Sequence, residues 1–258
     1  MTGGAPWEGQ EHSTYTFTRA VIFDLDGTVV DSHLAIEKTR EAVRALVQAA
    51  GGRGSGAGER PVGTSVFGPP SLSELLREAR DLGPEVYTQA LRQVDDMERR
   101  AVPSLMEGVR ETLGWLGRQR DLGLGLLTNS GRDGATALLE RLETIQFFDV
   151  ILCREDVPML KPSPLGLRLA LERLGCPARA LYVGDSWIDA RAAEEAGVPF
   201  VAFRLDDAAL ESRRLTRPWA RAKTWPSLSR LLSTWLSEGA DHGNDAGTDR
   251  GGGAQDGG

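Results

Sequence analysis

The sequence predicts an α/β fold: a parallel sheet core with an all-helical domain inserted into it. Three observations carry this expectation. Five short apolar runs, 20–23, 124–127, 150–152, 181–183 and 200–203, read as buried strands. Helical periodicity lies between most of them, and such alternation implies a parallel sheet covered by helices on both faces. The alternation fails once, from Ser32 to about Pro103, where helical stripes follow one another with no strand among them.

In chain order, residues 1–18 are polar, Gly-rich and without periodicity, and are expected to be a disordered tail. After the first strand, Ile36, Val43, Leu46 and Val47 form a helical stripe that stops at Gly51-Gly52. Ser71-Leu72-Ser73-Glu74 has capping-box spacing, leads into Leu75, Leu76, Ala79 and Leu82, and ends at Gly83-Pro84. Val86, Ala90, Val94 and Met97 mark a third helix, and the Gly- and Pro-rich stretch 51–70 reads as a mobile loop. An insertion of about 70 residues is too long for a strand–helix connection. It is expected to form a small separate domain over the carboxyl ends of the strands, where ligands bind in open α/β sheets. Further on, Leu165, Leu169 and Leu174 mark a helix closed by Gly175, and Ile188, Ala192, Ala193 and Ala196 one closed by Gly197. The expected organisation is a Rossmann-like core of residues 19–31 and 104–237, a helical cap of residues 32–103, and disordered tails at 1–18 and 238–258.

Composition narrows the function. The 258 residues suffice for one large core or two small ones, and 40% hydrophobic with 26% charged residues is ordinary for a globular chain. A net charge of −7, with no basic stripe, argues against a nucleic-acid partner. Cys153 and Cys176 lie far apart and form no C-x-x-C, so both read as small core or loop residues in a reducing cytosol. No signal peptide is visible, and no apolar run reaches the roughly 18 residues of a membrane span. A cytoplasmic protein without a membrane partner is expected.

Chemistry concentrates at the strand ends. Phe23-Asp24-Leu25-Asp26-Gly27-Thr28 closes the first strand. Extended backbone would aim Asp24 and Asp26 at one small volume, and Gly27 lets the chain turn away. Two carboxylates about 4 Å apart repel by roughly 4 kcal/mol at an effective dielectric near 20. A hard divalent cation, Mg2+ above all, would offset that; a solvated turn is the alternative. Thr128-Asn129-Ser130-Gly131 follows the second strand with groups suited to a phosphate at a helix start, or equally to capping that helix. Lys161 stands in Leu160-Lys161-Pro162-Ser163-Pro164, where two prolines fix the loop; otherwise it is a solvated surface charge. Gly184-Asp185 and Asp189 end the fourth strand, and Asp189 also sits where an acid favours a helix dipole. Four acids, a lysine and a hydroxyl at the carboxyl ends of strands in one sheet point to a single site.

On these four motifs the chain resembles the haloacid dehalogenase-like (HAD) hydrolase superfamily, in its phosphoglycolate phosphatase-like branch with a helical cap. The resemblance covers residues 19–236 and implies a Mg2+-dependent phosphatase. Its substrate would be a small phosphorylated metabolite, a phosphoglycolate- or sugar-phosphate-like monoester, hydrolysed through an aspartyl-phosphate. In that scheme Asp24 attacks phosphorus, and Asp26 protonates the leaving alkoxide and then activates water, oriented by Thr28. Thr128 and Asn129 hold phosphoryl oxygens, and Lys161 offsets charge beside them. Asp24, the backbone carbonyl of Asp26 and Asp185 would hold Mg2+, with Asp189 direct or through water. A monomer or homodimer is expected.

Asp26 argues against dehalogenating relatives, which lack the second acid. Lys38 is the only lysine available to a phosphonate-cleaving chemistry in the cap. A β-phosphoglucomutase-like phosphomutase is the enzymatic alternative, since Gly68-Pro69-Pro70-Ser71-Leu72 is similar to the mutase cap loop without its phosphate-gripping arginine. An inert binding protein of the same fold is the non-enzymatic one. His33, at the hinge into the cap, could touch substrate, but a solvated helix-start histidine is the expectation. Trp187, inside the fourth motif, could wall the site or pack the helix, and packing is the favoured reading.

Overall fold

The computed structural model describes residues 17–31, 33–52, 70–100, 102, 104–175 and 177–238, with the backbone alone for 33–35. The expectations for the N-terminal tail up to residue 16, for Ser32, for the loop at 53–69, for Pro103, for Cys176 and for 239–258 lie outside these residues, as does the side chain of His33.

The chain opens with β1 (Arg19–Phe23) and a two-residue strand β2 (Val30–Asp31). Three helices follow, α1 (His33–Ala49), α2 (Leu72–Leu82) and α3 (Pro84–Arg100). It returns through β3 (Ser104–Leu105), which pairs antiparallel with β2, and continues into α4 (Val109–Leu116) and β4 (Leu122–Leu127). Then come α5 (Arg132–Arg141), β5 (Val150–Leu152), α6 (Leu165–Arg173), β6 (Arg179–Gly184) and α7 (Trp187–Ala196). The chain closes with β7 (Phe200–Phe203), a short α8 (Asp207–Glu211), β8 (Ala220–Ala222) and α9 (Trp225–Ser237).

Six strands form one parallel sheet in the order β5-β4-β1-β6-β7-β8. All five strands expected from the apolar runs are present. The sixth, Ala220-Arg221-Ala222, has a central arginine in place of an apolar run and pairs with β7 at the edge of the sheet. Alternation along β1 sends Val21 and Phe23 to one face and Ala20 and Ile22 to the other. The first face packs on α4, α5 and α9, the second on α6 and α7. Phe17, which lies inside the segment expected to be a tail, packs on the second face. On the first face Trp225 is buried, stacks on Phe23 at 5.5 Å and donates its indole N–H to the carbonyl of Thr28 at 2.8 Å. The start of α9 is thereby tied to the loop after β1.

The three inserted helices surround a cluster of their own, Val43, Val47, Leu75, Leu76, Ala79, Ala90 and Val94. Ser71 and Glu74 form the expected capping box: the Glu74 N–H donates to the serine hydroxyl, and the Ser71 N–H donates to the glutamate. Among the described residues no helix is long and apolar enough to cross a membrane.

Candidate active site

β1 lies between β4 and β6, so the sheet reverses its winding there and the carboxyl ends of these three strands converge. Asp24 leaves β1 with its N–H donating to the carbonyl of Val183 at 2.9 Å. The chain then turns on Leu25, whose side chain is buried in the core and whose carbonyl accepts from the N–H groups of Val29 (2.9 Å) and Val30 (3.0 Å). Gly27 permits this turn. Its φ is +82°, and a Cβ there would stand 1.9 Å from Asp185 Oδ2, so the Asp185 carboxylate lies directly against the glycine.

Asp24, Asp185 and Asp189 place carboxylate oxygens within 4.8 Å of one another. Into this group reaches Lys161, from the loop before α6; its Nζ lies 2.5 Å from Asp24 Oδ1 and 2.7 Å from Asp189 Oδ1. The carbonyl of Leu127 and the hydroxyl of Tyr182 stand at 3.1 Å, so three ammonium protons face four acceptors. Burial works against the charge on Lys161, but Asp189 and then Asp24 outweigh it and hold its pKa well above the usual value. Burial raises the pKa of Asp24 well above the usual range, Lys161 opposes this, and Asp189, Asp185 and Asp26 in turn add to it. Asp185 is pushed up to about 8 by burial and then by Asp189. One ammonium among three crowded carboxylates leaves negative charge without an offset. A donor set made only of oxygens could hold a hard divalent cation, which would supply that offset.

Asp189 has little left to offer such an ion. Its Oδ1 accepts from Lys161 and from the Tyr182 hydroxyl at 2.9 Å; its Oδ2 accepts from the Ser186 N–H at 3.2 Å and from the Ser186 hydroxyl. These bonds close a capping box at the start of α7 and anchor the lysine.

Asp26 departs from the expected pairing. The turn on Leu25 takes it out of the three-acid group, and it acts least on Asp24 among the neighbouring charges. Its Oδ2 accepts from the Ser130 hydroxyl at 2.6 Å, with Thr128 Oγ1 at 3.5 Å. The expected bond from Thr28 does not form: the buried Thr28 hydroxyl has no hydrogen-bond partner. Nor do these polar residues cap α5, whose N-cap is Gly131 with no side-chain bond. Asn129 instead brackets Lys161, its amide donating to the lysine carbonyl (3.1 Å) and its Oδ1 accepting from the lysine N–H (3.0 Å). The same amide donates to Ser73 of α2 at 2.7 Å. Over these groups lies a cavity of about 480 Å³, walled on the far side by Thr39, Arg40, Ser73, Leu76 and Glu98.

A protein-family model described as a hydrolase, haloacid dehalogenase-like hydrolase, matches residues 18–197. The chain belongs to this family. Among curated relatives, the phosphoglycolate phosphatase of Shigella dysenteriae serotype 1 is 34% identical over 208 residues, covering 71% of this chain and 80% of that protein. That of Escherichia coli strain K12 is 33% identical over the same shares. A crystal structure of a HAD-superfamily hydrolase, subfamily IA, variant 1, from Geobacter sulfurreducens superposes with a TM-score of 0.52 at 25% identity, covering 85% of this chain and 99% of that one. The family and these relatives make the chain a phosphatase-type HAD hydrolase.

Several groups in this HAD site carry no signal in the sequence. Tyr182 reads as one apolar position of a strand, yet its hydroxyl is bound to Lys161 and Asp189. Trp187, open to walling the site or packing a helix, takes the first of these readings: it is half-buried, walls the cavity and carries the Arg213 guanidinium 4.0 Å above its ring. Cys153 is buried, and burial with the nearby Asp156 pushes its thiol up to about 12, so it stays protonated, as a core residue should. Lys38 is exposed on α1.

Glu98 comes from α3 and accepts from the Gly131 N–H at 3.1 Å. Burial, against the pull of Arg154, lifts its carboxyl to about 7. A folded-state pKa raised above the usual 4.5 gives stability that is present below about pH 4.5 and is lost as pH rises through about 7. The stability of the wild type relative to Glu98→Gln is therefore expected to fall between about pH 5 and pH 8, by at most about 3 kcal/mol, and its melting temperature with it. Parallel melting curves in chelator across that range check it. A constant gap would show that Glu98 does not titrate there.

Proposed function

We propose that the chain hydrolyses a small phosphate monoester, phosphoglycolate- or sugar-phosphate-like, through a phosphoryl group carried on Asp24, with residues 32–103 acting as a cap over the reacting centre. The observation that supports this most is the separation of two nearby acids into two environments. Asp24 is buried on Lys161, while Asp26 is held from Ser130 with no protein donor on its Oδ1 among the described residues. Carboxylates divided in this way take different roles, one as nucleophile and one as acid and base.

In this reading Asp24 forms the new bond to phosphorus as the bond to the leaving oxygen breaks, and Asp26 delivers its proton from Oδ1 to that oxygen. Asp26, now a carboxylate, takes a proton from the water that attacks phosphorus, and Asp24 is released. Lys161 and Thr128 face the charge gathered on the phosphoryl oxygens, and Asn129 contributes by fixing the lysine loop. Asp24 and Asp185, with the backbone carbonyl of Asp26, would hold Mg2+, and Asp189 would act through Lys161. Bound there, Mg2+ would neutralise charge between the nucleophile and the phosphoryl group. The phosphoglycolate phosphatase relatives favour a small carboxylated ester, and the cavity is of a size for one.

The test is phosphate release from a panel of monoesters that includes 2-phosphoglycolate and hexose phosphates, after chelation and after metal is restored. Release is expected to vanish in EDTA, to return with Mg2+ and to return poorly with Ca2+, which prefers more ligands at longer distances. Full release in chelator would remove the metal from the scheme. A hexose phosphate isomerised without free phosphate would make the chain a mutase, and no turnover of any ester would leave only a binding protein.

A further inference from the structure

Ser130 holds Asp26 in the scheme above and Glu98 has no part in it, yet the two meet at the site. The segment Ser130-Gly131 is held from three directions. The Ser130 N–H donates to Thr128 Oγ1 at 3.0 Å, the Ser130 carbonyl accepts from the Arg154 N–H at 3.0 Å, and the Gly131 N–H donates to Glu98 Oε2 at 3.1 Å. The first two holds belong to the sheet and its loops. The third comes from α3, in the inserted helices. Arg154, itself nearly buried, ties the same helix down through Asp95 and lies 3.8 Å from Glu98. Both side-chain ends close on Gly131: a Cβ there would stand 2.5 Å from Arg154 Nη2 and 3.2 Å from Glu98 Oε2.

We infer that Glu98 is a positioning residue that acts through Gly131 and Ser130 on Asp26, so that the docking of α3 sets the orientation of the leaving-group acid. The inference rests on the phosphatase reading. A general acid works best when its carboxyl is oriented toward the leaving oxygen, and the 2.6 Å bond from Ser130 to Oδ2 orients Oδ1. That serine is aimed by its own backbone. With α3 undocked, the Gly131 N–H loses its acceptor and Ser130 loses one of three restraints. Proton delivery is then available when the inserted helices are seated and impaired when they are not.

The experiment compares kcat/KM on two esters, because that ratio reports transfer to Asp24 and not the later hydrolysis. p-Nitrophenyl phosphate leaves without needing a proton; an alkyl phosphate that the wild type hydrolyses does not. Ser130→Ala and Glu98→Ala are each expected to lower the alkyl value by about 10–100-fold and the nitrophenyl value by less than about 3-fold, the pattern of a weakened general acid. Glu98→Gln keeps an acceptor for the Gly131 N–H and is expected to recover most of the alkyl rate. Glu98→Asp keeps the charge one methylene short and should match Glu98→Ala, so the outcome does not hang on one variant's folding. The double variant Ser130→Ala/Glu98→Ala should fall no lower than Ser130→Ala, since the two act in series. Equal losses on both esters, an unchanged alkyl value in Glu98→Ala, or additive losses in the double variant overturn the inference. If the wild type hydrolyses neither ester, the phosphatase reading fails instead.

Discussion

The Asp24→Asn protein is expected to fold, to melt higher than the wild type in chelator, and to release no phosphate from any ester. The loss of turnover should be at least about 10⁴-fold, because an amide cannot form the covalent intermediate and no neighbouring group replaces it. The gain in stability follows from the charges. Asp24 is buried beside Asp189 and Asp185, and its carboxyl is held well above the usual range by burial and by those neighbours. A raised folded-state pKa means that the wild type loses stability as pH climbs past the ordinary carboxylate value, whereas asparagine loses nothing. Lys161 is not stranded by the change, since Asp189, Leu127 and Tyr182 still accept from it. The advantage should therefore be largest near pH 8 and close to zero near pH 4. A gain of about 1 kcal/mol would appear as roughly 2–4 °C. Turnover within tenfold of the wild type in protein free of contaminating phosphatase would reject Asp24 as nucleophile.

Lys161→Met should move stability the other way. Lys161 is 4% exposed and is the ammonium within bonding distance of both Asp24 and Asp189. Methionine fills much of the same volume but leaves the acids to repel one another without a counter-charge. Removing one partner of a buried ion pair destabilises by about 3–5 kcal/mol. Turnover is expected to fall by about 10²–10³-fold, the usual effect of losing one charge-stabilising donor at a reacting centre. Urea denaturation of both variants in chelator checks the opposite signs. If Lys161→Met unfolds at the wild-type midpoint, the lysine does not offset the acid cluster.

What the sequence revealed of this site, and what it hid, divide along a physical line. Asp24 and Asp185 each follow an apolar run, so the strand that positions them is visible beside them. Asp189 opens the helix after β6, and Lys161 stands in a loop marked only by its two prolines. The convergence of the acids then follows from the parallel sheet, while Lys161 is brought to them by Asn129, which brackets its backbone. Asp26 was legible as a residue but not in its surroundings. The i, i+2 argument assumed extended backbone, and the tight turn on the Leu25 carbonyl ends that extension between the two acids. Thr28 was the nearer hydroxyl in sequence; Ser130 is the nearer one in space. Glu98 was invisible for a different reason. On α3 it is one acid among Asp95, Asp96 and several arginines, and only the packing of α3 on the start of α5 distinguishes it. The strands β2 and β3 are two residues long and cannot show a period at all.

That pair of short strands decides how the chain enters and leaves the inserted helices. Val30 faces Leu105 and Asp31 faces Ser104, so the outgoing and returning backbones lie one strand spacing apart, about 4.8 Å. A gap that narrow is the width of an ordinary two-residue reverse turn. Everything between the two strands could be excised and the ends rejoined without redirecting either one, and without disturbing the registers of the six-stranded sheet. The inserted helices, the proposed cap, are therefore interchangeable as a unit wherever the contacts from Ser73 to Asn129 and from Glu98 to Gly131 are kept. Selection can rebuild them, while Asp24, Gly27 and Asp185 stay locked together by contact.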